Sequence, residues 1–293
     1  RETRLHAAET INGDILHQVP VGAPVCHASL AAPSSAGRHR LALLIPYRNR
    51  EEHAREFVPA LRRALDSQGI AYDIFFIEQT ERYSFNRAAL LNIGFLLLQG
   101  SSYDHFAMHD VDTVPAEGVV PYIFPEGPRP LHLTPPGIHP SVMYADFFGG
   151  NSIFSRDQFV RVNGYGVHFW GWGKEDDNMR VRLQRNHMWP PQQPKVERRR
   201  PGHYFRHQRH NKEPEVRELK TGDGQSRYVR KNPDMPYGQE KIVNVFPEVF
   251  EDHASGLNST RFWLENVAPF HGATKFRVEL YCDKRLTPWC EES

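Results

Sequence analysis

The sequence predicts an α/β protein with a mostly parallel central sheet and helices on both faces. Three short apolar runs, LALLIP (Leu41–Pro46), YDIFFIE (Tyr72–Glu78) and HFAMHD (His105–Asp110), have the length and character of buried strands. Helical segments alternate with them, and strands that alternate with helices form parallel sheets covered on both sides.

Each element follows from its own pattern. After the first run, Glu51–Ser67 sets Phe57, Val58, Leu61 and Leu65 on one helical face. Phe85–Leu98 reads as a second helix with Ala88, Leu91 and Phe95 inward. Phe148-Gly149-Gly150 precedes a strand at Asn151–Phe154, and Ser155-Arg156-Asp157-Gln158 is a capping box that opens a short helix. FWGWGKEDDN (Phe169–Asn178) leads into a helix that runs to about Asn186, and Pro190–Pro236, rich in Pro, Arg and Gly, reads as loops. Residues 1–38 lack periodicity and end in AAPSSAG, which marks an irregular N-terminal arm or stem; the folded domain is expected over 39–293.

Charge is nearly balanced, with 36 Lys and Arg against 35 Asp and Glu in 293 residues, so whole-chain electrostatics give no argument for nucleic acid or a membrane surface. One local basic run, Arg198 to Arg200 with Arg206 and Arg209, encloses His203, His207 and His210; it fits a solvated loop or a phosphate-bearing ligand. No apolar stretch spans a bilayer and no signal peptide stands at Arg1, so a soluble protein and a luminal piece separated from its anchor are both expected forms. Cys282 and Cys290 fit a short-loop disulfide or two buried thiols, and Cys26 is left over. Asn258-Ser259-Thr260 is a glycosylation sequon compatible with a secretory route.

Ligands in parallel sheets bind beyond the carboxyl ends of the strands, which puts Tyr47–Arg50 and Asp110–Asp112 on one rim. Asp110 and Asp112 flank one residue at a strand end, so both carboxylates can face one hard cation; two solvated acids are the plainer reading. His207 and His210 suit Mn²⁺ or Zn²⁺ better than Mg²⁺, or are a surface pair; a zinc hydrolase has no HExxH helix to support it. Glu175, Asp176 and Asp177 open a helix, where the dipole favours acids. The Trp and Gly residues before them suggest more: an aromatic platform for a sugar ring beside a carboxylate able to take a hydroxyl proton. Arg48, Arg50 and Arg87 are candidates to clamp a diphosphate, with Phe85 or Tyr47 to stack on a base.

In order and spacing, IPYRNR, FNRAALLNIGF, MHDVDTVP, FFGG and FWGWGKEDD resemble the β-1,4-galactosyltransferase family. YFRHQRH and CDKRLTPWC look like its members that act on xylosylated protein. The resemblance runs from His39 to Cys290 and is weak between Asn211 and Leu264. It implies a GT-A glycosyltransferase fold, Mn²⁺ as cofactor, and inverting in-line transfer from UDP-galactose to the 4-hydroxyl of an acceptor sugar, here the β-xylose of a proteoglycan linker or another glycoprotein glycan. It places the enzyme in the Golgi lumen. Asp176 is implied as the general base, and Asp112, His207 and His210 as metal ligands. Donor contacts are implied at Pro46, Tyr47, Arg48, Arg50, Phe85, Asn86, Arg87, Asp110, Val111, Asp112, Tyr144, Trp172 and His207. Acceptor contacts are implied at Phe147, Gly149, Gly150, Trp172, Gly173, Glu175, Asp176 and Asp177. The segment from Lys174 onward is implied as a loop that closes after donor binding. Three positions depart from the family pattern: Arg209 stands at a histidine, Phe147 at a tyrosine and Asn178 at an acid. Transfer of N-acetylgalactosamine, another acceptor, and a non-catalytic sugar-binding module are the alternative functions.

Overall fold

A computed structural model describes residues 9–11, 14–16, 39–140, 144–171, 173–197, 199–200, 202–208, 215–220, 226–231, 241–243, 252–287 and 290. Three of the expected strands form as β3 (Arg40–Tyr47), β4 (Ala71–Gln79) and β5 (His105–Met108), with α1 (Glu51–Asp66) and α2 (Arg87–Leu97) between them. In the arm, β1 (Glu9–Ile11) pairs antiparallel with β2 (Asp14–Leu16), so short regular structure stands where irregular chain is expected. Next come β6 (Thr113–Pro115), β7 (Leu131–His132), β8 (Ser152–Ser155), α3 (Arg156–Arg161) and α4 (Glu175–Arg185). The capping box forms as expected: Gln158 N–H donates to Ser155 Oγ, and Ser155 N–H donates to Gln158 Oε1.

The remaining strands are β9 (Phe205–His207), β10 (Glu215–Lys220), β11 (Ser226–Lys231), β12 (Lys241–Val243), β13 (Phe262–Phe270) and β14 (Ala273–Leu280). The expectation of loops throughout Pro190–Pro236 is therefore wrong. β9 pairs with β6, and β10, β11 and β12 form a separate antiparallel sheet. Short strands of this kind are set by their partners more than by their own apolar period.

The main sheet has the order β13-β14-β4-β3-β5-β8-β7. Its centre, β14-β4-β3-β5, is parallel, and its edges are antiparallel. Because side chains alternate along a strand, β3 feeds two cores. Leu41, Leu43 and Ile45 pack with Phe57, Leu61 and Leu65 of α1. Ala42 and Leu44 pack with α2 on the opposite face, joined by Phe159 of α3 and Met179 and Leu183 of α4. Gly94 allows α2 to lie close on the sheet: a Cβ there would stand 2.9 Å from Ile77 Cδ1. The parallel β3 and β5 deliver Tyr47–Arg50 and Asp110–Asp112 to one rim. Among the described residues no helix is long and apolar enough to cross a membrane.

Candidate active site

A cavity of about 180 Å³ opens at that rim. Pro46, Arg48 and Arg50 from the end of β3 form one wall with Phe85. Asp110, Val111 and Asp112 form the floor beyond β5, and Gly171, Gly173, Glu175 and Asp176 close the far side. The Gly171 N–H donates to the Phe85 carbonyl at 2.8 Å, which ties the segment before α4 to the Phe85 wall. Gly171 and Gly173 have φ of 91° and 100°, which glycine adopts without strain, and Lys174 enters α4 in the left-handed region at 78°.

Arg87, the first residue of α2, is the hub of the site. Its Nε donates to Asp110 Oδ1 at 2.6 Å, its Nη1 to Asp176 Oδ1 at 3.2 Å, and its Nη2 to the Gly150 carbonyl at 2.8 Å. Glu175 Oε1 stands 3.7 Å from Nη1. The guanidinium lies 5.9 Å above the buried Tyr165 ring. Burial disfavours its charge, but Asp110 and Asp176 outweigh burial and hold it protonated. Burial, then Glu175, pushes the Asp176 carboxyl well above its ordinary value, against Arg87. Burial also raises Glu175 and Asp110, again opposed by Arg87. Oε2 of Glu175 is buried with no hydrogen-bond partner, a carboxylate oxygen suited to a ligand hydroxyl.

Behind Asp110 lies a relay that the sequence did not single out. Asn151 Oδ1 accepts the Asp110 N–H at 3.0 Å, and Asn151 Nδ2 lies 3.1 Å from His109 Nε2. His109 also meets Tyr122 Oη at 2.9 Å, and burial depresses its pKa to about 4, so the ring is neutral near pH 7. Only the position of Asn151 after Gly149-Gly150 could have flagged it.

Asp112 and His207 come together through the β6–β9 pair: Gln208 N–H donates to the Asp112 carbonyl at 2.8 Å, and His207 Nδ1 stands 4.0 Å from Asp112 Oδ1. Among the described residues no three His, Cys, Asp or Glu side chains converge in metal-binding geometry. His210 and Trp172 lie outside the described residues.

The other expected positions divide. A Cβ on Gly149 would meet Asp176 Oδ2 at 2.4 Å and Phe147 Cε2 at 2.5 Å, so these three residues share one point of the rim. A Cβ on Gly150, at φ 72°, would meet Thr134 Oγ1 at 2.6 Å. Tyr144 is exposed and meets the Phe147 ring edge-on at 5.3 Å. Asp177 stands 3.7 Å from Lys174 Nζ and 4.0 Å from Arg180. Two positions face away from the cavity. Tyr47 is buried against Phe76 and Phe270. Asn86 is buried as the N-cap of α2, its Oδ1 accepting the Ala89 N–H and its Nδ2 donating to the Val167 carbonyl. Asn178 donates Nδ2 to the Asp252 carbonyl at 2.8 Å and accepts from Arg182 Nε, which explains an amide in the acidic run: a carboxylate cannot donate. Cys282 and Cys290 are joined as a disulfide.

Residues 23–124 match the family model for the N-terminal region of glycosyl transferase group 7, and residues 129–211 match the model described as the N-terminal domain of galactosyltransferase. The chain is 33% identical over 267 residues to beta-1,4-galactosyltransferase 7 of Drosophila melanogaster, covering 87% of this chain and 74% of that protein. It is 30% identical to the xylosylprotein 4-beta-galactosyltransferase of Caenorhabditis elegans, covering 88% of this chain and 84% of that one. The crystal structure of the catalytic domain of the Drosophila protein in complex with xylobiose superposes with a TM-score of 0.71 at 31% identity, over 87% of this chain and 100% of that chain. A mutant of the Drosophila protein in complex with manganese, UDP-Gal and xylobiose gives 0.70 at the same identity and coverage. With its two family models, its relatives and its GT-A fold in agreement, the chain belongs to the β-1,4-galactosyltransferase family of glycosyltransferases.

Proposed function

We propose that this enzyme transfers galactose from UDP-galactose to the 4-hydroxyl of a β-xyloside, with inversion and with Mn²⁺ as cofactor. The observation that carries the reading is Asp176, a carboxylate held by Arg87 in the cavity that Asp110, Val111 and Asp112 also line. The relatives with manganese, UDP-Gal and xylobiose support the same ligands here.

In this reading Asp176 takes the proton of the acceptor hydroxyl as the oxygen attacks the anomeric carbon of galactose. Attack from the face opposite the departing UDP inverts that carbon. The raised Asp176 pKa suits this task, since a general base works best with a pKa near the working pH. Glu175 Oε2 accepts a sugar hydroxyl, and Asp177 serves the acceptor. Arg48 and Arg50 face the diphosphate, and Phe85 lies beside the base. Pro46, Val111, Gly173, Tyr144, Gly149, Gly150 and Trp172 complete the donor and acceptor surfaces.

Asp112 and His207 would hold the metal, with His210 as the third protein ligand. Asp112 Oδ1 and His207 Nδ1 stand 4.0 Å apart, and a carboxylate with an imidazole is a donor set that suits Mn²⁺. When bound, the ion supplies Lewis-acid neutralisation of the leaving diphosphate. Residues 39–293 act as the catalytic domain and 1–38 as a stem, and the enzyme works in the Golgi lumen, a placement that the disulfide supports.

Phe147 brings a ring without a hydroxyl to the point shared by Gly149 and Asp176, which makes UDP-N-acetylgalactosamine the second donor to test. The deciding assay offers both donors to a β-xyloside and a glucosaminide with Mn²⁺, Mg²⁺ or EDTA. Galactose transfer to the xyloside that needs Mn²⁺ is expected. Full activity in EDTA would refute the metal, and transfer only to the glucosaminide would refute the acceptor.

A further inference from the structure

We propose that Asn258 carries an N-linked glycan. The chain contains one Asn-x-Ser/Thr sequence with a middle residue other than proline, Asn258-Ser259-Thr260. It falls on a single 3-10 turn, Leu257–Ser259, just before β13. Leu257 and Thr260 are buried and pin the turn at both ends, whereas Asn258 and Ser259 are exposed. The Thr260 hydroxyl donates to the Gly256 carbonyl and accepts from Asn92 Nδ2 of α2.

A clamp from Asn163 orients the asparagine. Asn163 Nδ2 donates to Asn258 Oδ1 at 2.9 Å, and Asn163 Oδ1 accepts the Asn258 backbone N–H at 3.2 Å. The amide oxygen of Asn258 is thereby held by the protein, and no described residue accepts from its amide nitrogen, the atom that receives the sugar. Glycosylation at Nδ2 leaves Oδ1 free to keep its bond to Asn163, so the folded turn accommodates the modified residue without change.

The chemistry needs a donor of one class, an oligosaccharide linked through diphosphate to a membrane lipid, and the transferase of the secretory pathway. The anomeric C1–O bond to the diphosphate breaks, the C1–Nδ2 bond forms, the lipid diphosphate leaves, and one amide proton is lost. Asn258 does not line the catalytic cavity. Thr260 docks on Asn92, about 7.5 Å along the α2 axis from Arg87, so the glycan projects from the flank of the helix that begins at the site.

This proposal rests on the luminal placement given above, and the test separates the two. The chain is secreted from eukaryotic cells behind a cleavable leader, and its electrophoretic mobility is compared before and after peptide N-glycosidase. Treatment should remove roughly 2 kDa and convert Asn258 to Asp in the peptide mass spectrum. Asn258→Gln should lack the shift and keep its transferase activity, and Ser259→Ala, which preserves the sequence rule, should keep the shift. Secreted, active protein with unmodified Asn258 would overturn the glycan and leave the function standing. A glycan on secreted protein inert toward UDP-sugars would do the reverse.

Discussion

Arg87 Nε donates to Asp110 Oδ1 at 2.6 Å, and the same guanidinium reaches Asp176, so one cation joins the end of β5 to the start of α4. Removing it leaves three acids facing one another in a buried place. Arg87→Ala is expected to cost about 3 kcal/mol or more of folding stability, the usual result of breaking a buried ion network from one side. Urea unfolding measures this, and a midpoint equal to that of the wild type would show that the bridge does not hold the two elements together.

Asp176 is predicted to be the residue on which turnover depends most. Asp176→Asn should keep UDP affinity, measured by calorimetry, and lower kcat by about 10²- to 10⁴-fold, the range for loss of a positioned base. Turnover near normal would remove it as the base.

Glu175 should set the pH at which that base becomes active. After burial, its charge is the largest influence raising Asp176. Glu175→Gln removes that repulsion and lowers the Asp176 pKa, so the ascending limb of kcat against pH should move to lower pH. A limb that moves to higher pH would contradict the coupling.

Gly149 has no room for a side chain, because a Cβ would collide with Asp176 Oδ2 and the Phe147 ring. Gly149→Ala is expected to displace the Asp176 carboxylate and lower kcat by roughly 10²-fold, as small misplacements do, with circular dichroism unchanged. Wild-type kcat in this variant would show that the rim relaxes without affecting the base.

Asp252 stabilises the turn beneath α4. Burial works to raise its pKa, but hydrogen bonds from His168 and Ser255 outweigh burial and bring it to about 2 from 3.8. A depressed carboxylate stabilises the fold above its unfolded pKa and loses that contribution as pH falls toward the folded value. Asp252→Asn should therefore destabilise by about 2 kcal/mol at pH 7. The gap to wild type should close between about pH 4 and 2; a gap that stays constant in denaturation at several pH values would exclude this origin.

The parts of the fold legible in the sequence were those set by local pattern. The continuous apolar runs identified β3, β4 and β5, and the Ser155–Gln158 capping box marked the start of α3. The site was legible where a motif followed a strand end, as at Asp110–Asp112. What local pattern could not show was partnership. Arg87 reads as a free clamp in FNRA, and only the fold reveals the acids gathered around it. Tyr47 and Asn86 sit inside matching motifs, yet their side chains serve the core and a helix cap. β13 and β14 carried one missed signal, the His271-Gly272 pair with φ of 50° and 79°, a two-residue hairpin turn.

The position of β14 has a consequence for biosynthesis. It pairs directly with β4, and residues in register there, such as Arg277 and Glu78, are 199 positions apart. At ribosomal rates of about 5–20 residues per second, β4 waits roughly 10–40 s after its own synthesis for its neighbour. Through that interval the central sheet ends in an open, apolar edge of the kind that recruits foreign strands. The chain must therefore be kept from pairing wrongly until β14 has been made and can cover the β4 edge.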